Sequence, residues 1–149
     1  MKTNFLIGVI ALLFFASTTH GKDLPKSQVP SLVINSFDQA FPKASDIEWE
    51  LDGELYKVDF EIGLFGTDHN VWYNKAGKLM KHKEEISKND LPQKVLSKIK
   101  SDFSGYRIDD VKKITEGNNS SYTLELKNFT KEWKLAFDAD GNILSQIAD

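Results

Sequence analysis

The chain reads twice along its length. Val33, Phe37 and Phe41 recur every four residues behind Val29-Pro30, and Val95, Ile99 and Phe103 do the same behind Leu91-Pro92, at a constant offset of 62. Each set predicts a helix with one apolar stripe and a proline in its first turn, where the missing N–H costs nothing. The same series then follows both times: a strand candidate (Ile47 to Leu51; Val111 to Thr115), a Gly-bearing turn (Asp52-Gly53; Glu116-Gly117) and an alternating strand. That strand shows Tyr56, Val58, Phe60 and Ile62 on one side in the first copy, and Tyr122, Leu124 and Leu126 in the second. Alternation with period two puts one face of a sheet on a core and leaves the other in water. Each copy closes with a hairpin, through Asn74-Lys75-Ala76-Gly77 or Asp138-Ala139-Asp140-Gly141, at an offset of 64. A glycine ending such a loop suits the left-handed position of a type I turn with a G1 bulge. Two tandem αββββ units, about 24–83 and 89–147, therefore predict one α+β domain over residues 22–149. His82 to Asn89 reads as a charged connector between them, and the two halves are expected to share one sheet and one core.

The first 21 residues have a different purpose. Lys2 is followed by an apolar run from Phe5 to Ala16 and then by Ser17-Thr18-Thr19-His20-Gly21, the three-part pattern of a secretory signal over 1–21. Twelve apolar residues are too short for a bilayer core of about 30 Å. Its removal would leave 128 residues with a net charge of −4, since the segment holds Lys2 and no acid. The expected location is periplasmic or secreted, with no membrane association after removal, because no Cys is present to take a lipid anchor. The same absence excludes disulfides, thiolate metal sites and Cys nucleophiles. Stability must then come from packing. A full-chain net charge of −3 also gives no reason to expect nucleic acid.

Several features together point to a family. Phe41-Pro42, the Asp46-Ile47-Glu48-Trp49 strand, Asp52-Gly53 leading to Tyr56-x-Val58-x-Phe60, and the closing aromatic-x-x-x-Gly-x-Leu hairpin resemble the PepSY-like family of exported Bacteroidetes proteins. The resemblance runs from about Leu24 to Ile147. It implies the architecture of the β-lactamase-inhibitor protein: two repeats forming one curved antiparallel sheet with helices packed on one face. It also implies an inhibitor-like or binding habit, and it carries no catalytic residue. The second copy departs from the pattern at Phe103-Ser104 and at Lys113, where Trp49 would fall.

With Tyr73 opposite Leu79 and Phe137 opposite Ile143, parity assigns the sheet faces. Val71, Tyr73, Leu79, Trp133, Leu135, Phe137, Ile143 and Ile147 fall under the helices. Glu48, Glu50, Lys57, Asp59, Glu61, Asn70, Trp72, Met80, His82, Glu125, Lys127 and Lys134 fall on the open side. Trp72 and Met80 become cross-strand neighbours there, an exposed apolar pair ringed by Glu50, Asp59 and Glu61, which is the composition of a protein-binding hot spot. On this reading Trp72→Ala leaves folding nearly unchanged.

Sharper chemistry is absent from the pattern. His69 and His82 differ in parity and so should point to opposite faces, which argues against a metal pair. Asp138 to Asn142 lacks the frame and closing Glu of a calcium loop. There is no Gly-x-Ser-x-Gly elbow and no Gly-rich phosphate loop. The sequence thus predicts a non-enzymatic module without cofactor or metal that binds a protein through the open face; the alternative is a carrier holding a small molecule or envelope component between sheet and helices.

Overall fold

The computed structural model of the protein describes residues 21–149. The signal expected over 1–21 therefore lies, but for Gly21, outside the described residues. The described chain runs β1 (Lys22–Asp23), α1 (Ser31–Ala40), β2 (Ser45–Asp52), β3 (Leu55–Ile62), β4 (Thr67–Tyr73) and β5 (Leu79–Glu85). It continues as α2 (Gln93–Asp102), β6 (Arg107–Glu116), β7 (Asn119–Lys127), β8 (Glu132–Asp138) and β9 (Ile143–Ala148). The nine strands form one antiparallel meander in which each pairs with its neighbours in sequence. The α+β class and the repeated element order agree with the sequence reading. In detail, Pro30 and Pro92 stand just before their helices, with ψ of 139° and 141°, rather than inside the first turn.

The stretch from His82 is not a connector. As far as Glu85 it is strand, and β5 pairs with β6 through His82–Thr115, Lys83–Ile114, Glu84–Lys113 and Glu85–Lys112. Opposite charges face each other at the last two pairs, which favours this register. The two copies are thereby joined edge to edge through charged residues.

Helix and sheet pack as two cores. In the first copy Val33 and Phe37 of α1 meet Trp49, Val58, Phe60, Val71 and Tyr73; in the second, Val95 and Ile99 of α2 meet Val111, Tyr122, Leu124, Leu126, Leu135 and Phe137. Phe37 is the hub of the first, edge-on to Trp49 at 5.4 Å and to Phe60 at 5.0 Å. The expectation of one shared core is thus corrected: the sheet is shared and the core is divided. Geometry gives the reason, because a ten-residue helix is about 15 Å long and covers roughly the four strands of its own copy, spaced about 4.8 Å apart. Both helices lie on one face, since the register carries core parity from Val71 to His82, Thr115 and on to Tyr122.

The hairpin glycines hold the helices in place. Gly77 and Gly141 have φ of +79° and +83°, and a Cβ at either would lie 2.7 Å from the carbonyl oxygen of Leu32 or Lys94. Each therefore needs to be glycine for its own backbone and for the helix start packed against it. Asn74 and Asp138 close the loops from below, each side chain accepting two backbone N–H groups.

Each copy also carries two β-bulges in matching places. One inserts Asp46-Ile47 in β2 and Asp110-Val111 in β6, where Asp46 and Asp110 have φ of +49° and +46°. The other follows the hairpin glycine. Tyr73 pairs with Leu79 but Trp72 with Lys81, leaving Met80 as the extra residue; Phe137 pairs with Ile143 but Ala136 with Ser145, leaving Leu144. Bulges raise the local twist and so curve the sheet, and an inserted residue reverses face parity for everything beyond it. The consequence is large for β5 and β9, the two strands that follow.

Candidate functional site

The open face is built from alternate residues of the central strands. Cross-strand pairing sets Glu50 beside Lys57, Lys57 beside Trp72, Trp72 beside Lys81, Asn70 beside Lys83, Lys83 beside Ile114, and Lys112 beside Thr123. Beyond them Ala136 and Ser145 continue the row, both buried although neither α1 nor α2 covers this side.

Trp72 is a buried residue here, not an exposed one. It is 9% exposed, its indole N–H donates to Asp52 Oδ2 at 2.8 Å, and the ammonium groups of Lys81 and Lys57 stand 4.9 and 5.9 Å from its ring centroid. Two lysine stems and a curved sheet roof the indole, and cation–π attraction holds them there. Met80 is not its cross-strand partner, because the bulge gives that place to Lys81, and Met80 is left 40% exposed. Glu50, Asp59 and Glu61 share the open face as expected, with Lys57 standing among them. Lys57 pairs with Asp59 at 2.7 Å and with Glu50 at 3.1 Å, and Asp59 also accepts from Asn70. Burial works against the Lys57 charge, but Asp59 and Glu50 outweigh it and raise its pKa above the usual lysine value. Glu61 lies further along β3, its carboxylate against Gly66.

Acidic groups gather at the β2–β3 end of this face, and toward β5 and β6 the uncompensated charge is positive. Lys81 reaches Glu116 at 3.6 Å and Lys112 reaches Asp110 at 2.7 Å, whereas Lys83 has no carboxylate within 4.0 Å among the described residues. Burial first, then the like charges of Lys112, Lys81 and Lys57, push the Lys83 pKa below the ordinary lysine value. A half-buried cation among other cations is stabilised by an incoming anion. The signal for it was in the sequence as the alternation Lys81-x-Lys83, legible only if the segment is a strand.

The bulge moves His82 the other way. It faces the helices with His69, and the Nδ1 of His69 lies 3.0 Å from the Nε2 of His82. The expectation that they point to opposite faces is therefore overturned, and by the extra residue at Met80 alone. His82 meets the ring of Phe41, and His69 stacks on Phe60. Burial lowers the pKa of both, so neutral rings are favoured. Ile147, expected under the helices, is likewise turned by the Leu144 bulge to the open side beside Lys134, and is 41% exposed. Leu79, also expected in the core, is 42% exposed at the sheet's rim.

Sheet and helices leave little room between them, since Val33, Phe37, Val58, Val71, Val95, Leu124 and Leu135 are all at most 1% exposed apart from Ile99 at 4% beside them. Two hollows of about 620 and 630 Å³ are open to solvent, one at the rim between α2 (Lys94, Lys98) and the β8–β9 hairpin (Asp140 to Ile143) and one between Pro25 and Trp49. No helix among the described residues is long and apolar enough to cross a membrane.

One covered and one open sheet face, two repeats and two bulged hairpins define an α+β protein of the two-repeat, curved-sheet class. The chain belongs to the family described as "Putative beta-lactamase-inhibitor-like, PepSY-like", whose profile matches residues 16–65 and 54–145. Among solved structures it is similar to a "putative periplasmic" protein of Bacteroides eggerthii, with 18% identity over 80% of this chain and 88% of that one and a TM-score of 0.69. It is also similar to a BLIP-like protein of Bacteroides fragilis, with 24% identity over 84% and 87% of the two chains and a TM-score of 0.64. At these identities the likeness shows the fold. No curated protein matches the chain.

Proposed function

We propose that the protein is an exported, non-enzymatic binding module that grips a protein partner through the open face of its sheet. The observation that carries this reading is Lys83, half-buried and with no carboxylate within 4.0 Å among the described residues, set between Asn70 of β4 and Ile114 of β6, with Lys81 and Lys112 close by. Such a site favours a partner that presents Asp or Glu side chains on a convex apolar surface: the carboxylate completes the lysine cluster, and apolar groups lie on the lysine stems above the buried Ile114 and Trp72. Trp72 supports the patch from below instead of projecting into the partner. The inhibitor-like family description and the periplasmic description of a structural neighbour agree with a role outside the cytoplasm. The carrier reading has less support, because the interior between sheet and helices is filled by side chains and the hollow between α2 and the β8–β9 hairpin is open to solvent.

The test compares capture from an envelope extract by the wild-type chain, by Lys83→Glu, and by Lys98→Glu, which reverses a charge on the exposed side of α2. A protein retained by wild type and Lys98→Glu but lost with Lys83→Glu supports the reading. Equal retention by all three, or none by wild type, contradicts it.

A further inference from the structure

We infer that His69, His82 and Glu84 form a binding site for one borderline divalent transition cation of the zinc type. The three come from two adjacent strands. Register puts Glu84 directly opposite His69, and His82 diagonal to it on the same, helix-facing side. One donor atom from each falls within 4.8 Å of the other two, with 3.0 Å between the imidazole nitrogens and 3.9 Å from His69 Nδ1 to Glu84 Oε2.

The donor set and spacing fit zinc. Bonds of about 2.0–2.1 Å at tetrahedral angles put two ligand atoms of one zinc ion roughly 3.3–3.4 Å apart. The two imidazole nitrogens need only part by a few tenths of an ångström, while the carboxylate must approach His69 by about half an ångström and His82, from within 4.8 Å, by up to about 1.4 Å, a movement open to a partly exposed side chain. Two imidazoles and one carboxylate suit zinc, copper(II) or nickel(II); calcium and magnesium would want more oxygens. Three protein ligands leave the fourth position for water.

The surroundings favour neutral ligands held in place. His69 is buried between the rings of Phe60 and His82, and His82 stands against Phe41, so neither ring needs to be ordered on binding. Without a cation the two rings can satisfy each other by a single N–H···N hydrogen bond, which a cation replaces with two stronger bonds. Lys113, cross-strand from Glu84, is the opposing charge that the site must overcome. The second copy holds Trp133, Gln146 and Ala148 at the matching positions, so one ion per chain is the stoichiometry required. The ion would tie β4 to β5, next to the strand pair that joins the two halves.

The experiment is titration calorimetry of chelator-treated protein with zinc chloride alone, paired with thermal melts and with visible spectra after cobalt(II) addition. Expected are one site per chain at micromolar zinc, a rise in melting temperature, and the absorption bands of tetrahedral cobalt. Loss of a direct ligand should cost at least the tenfold that loss of an outer-shell partner commonly costs, so His82→Gln and Glu84→Gln should each bind zinc at least about tenfold more weakly. Glu84 is partly exposed, so its variant remains informative if His82→Gln fails to fold. The absence of heat with zinc at millimolar concentration overturns the inference. So does binding that folded Glu84→Gln and His82→Gln chains keep undiminished.

Discussion

Replacing Trp72 by alanine separates the structure from the simplest reading of its sequence. A tryptophan on an open sheet face is expected to be dispensable for folding, yet this one is 9% exposed and hydrogen-bonded to Asp52. An indole buries about 150–250 Å², worth at most about 4–6 kcal/mol at 25 cal/mol per Å². Two terms bring that down. The roof is made of the flexible stems of Lys57 and Lys81, which can settle into the space left, and Asp52 regains water when its donor is removed. The lost hydrogen bond to a carboxylate adds back about 1.5 kcal/mol. The net expectation is a loss of about 2–4 kcal/mol, or roughly 8–15 °C in Tm for a chain of this size. Trp72→Phe should lose about half as much, because it keeps most of the packing and the cation–π contacts. Urea unfolding followed by far-UV circular dichroism measures both, with the slope of the transition checked for constancy. A loss below about 0.5 kcal/mol for Trp72→Ala would refute the burial and the Trp72–Lys81 register with it.

Other consequences are as direct. Gly77→Ala and Gly141→Ala should each cost at least about 2 kcal/mol, since a left-handed backbone and a 2.7 Å approach to a helix carbonyl are both penalised; equal stability would show that the hairpins do not abut the helices. Tyr73 has a buried hydroxyl with no hydrogen-bond partner among the described residues, so Tyr73→Phe should match or exceed wild-type stability by up to about 1 kcal/mol in thermal melts at pH 7. Burial pushes the Tyr73 phenol from 10.0 up to about 12, so the fold favours its neutral form: this contribution is complete below pH 10 and is lost as the pH rises from 10 to 12, at up to about 1.4 kcal/mol per unit. The 295 nm absorbance difference between wild type and Tyr73→Phe should therefore develop only near pH 12, and its appearance near pH 10 would contradict the burial. Because the cores are separate, Phe37→Leu should speed amide exchange in β3 and β4 far more than in β7 and β8. Equal acceleration across both would indicate one cooperative core.

How far the fold could be read from the residues depended on whether a signal was local. Val33-x-x-x-Phe37 and its partner Val95-x-x-x-Ile99 announce their helices, and Tyr56-x-Val58-x-Phe60 its strand, because periodicity is a property of a few neighbouring side chains. Gly77 and Gly141 announce the hairpin turns for the same reason. Met80 and Leu144 carry no comparable mark. Nothing in either side chain requires a bulge, which arises from matching two strands of a twisted sheet, and one unseen residue in each hairpin was enough to place His82 and Ile147 on the wrong faces, with the slip at Met80 the more costly. That single slip also hid the pairing of His69 with His82 and put Met80 where Lys81 stands. The strand β5 was missed further along because Lys83, Glu84 and Glu85 have no apolar alternation, their partners being the complementary charges of β6, a distant segment. Lys57 illustrates a milder limit: its charge was legible, but only the fold shows that it bridges Glu50 and Asp59.

The claim that matters most is that the open face is where a partner binds. Its most direct test is nuclear magnetic resonance on a chain labelled at Ile and Val methyl groups and at the tryptophan indoles, titrated with the protein that wild type retains from envelope extract. The account predicts that the Ile114 methyl and Trp72 indole signals shift or broaden while those of Val33, Val95 and Ile99, beneath the helices, stay in place. Movement confined to the helix side, with Ile114 and Trp72 unchanged, would contradict it.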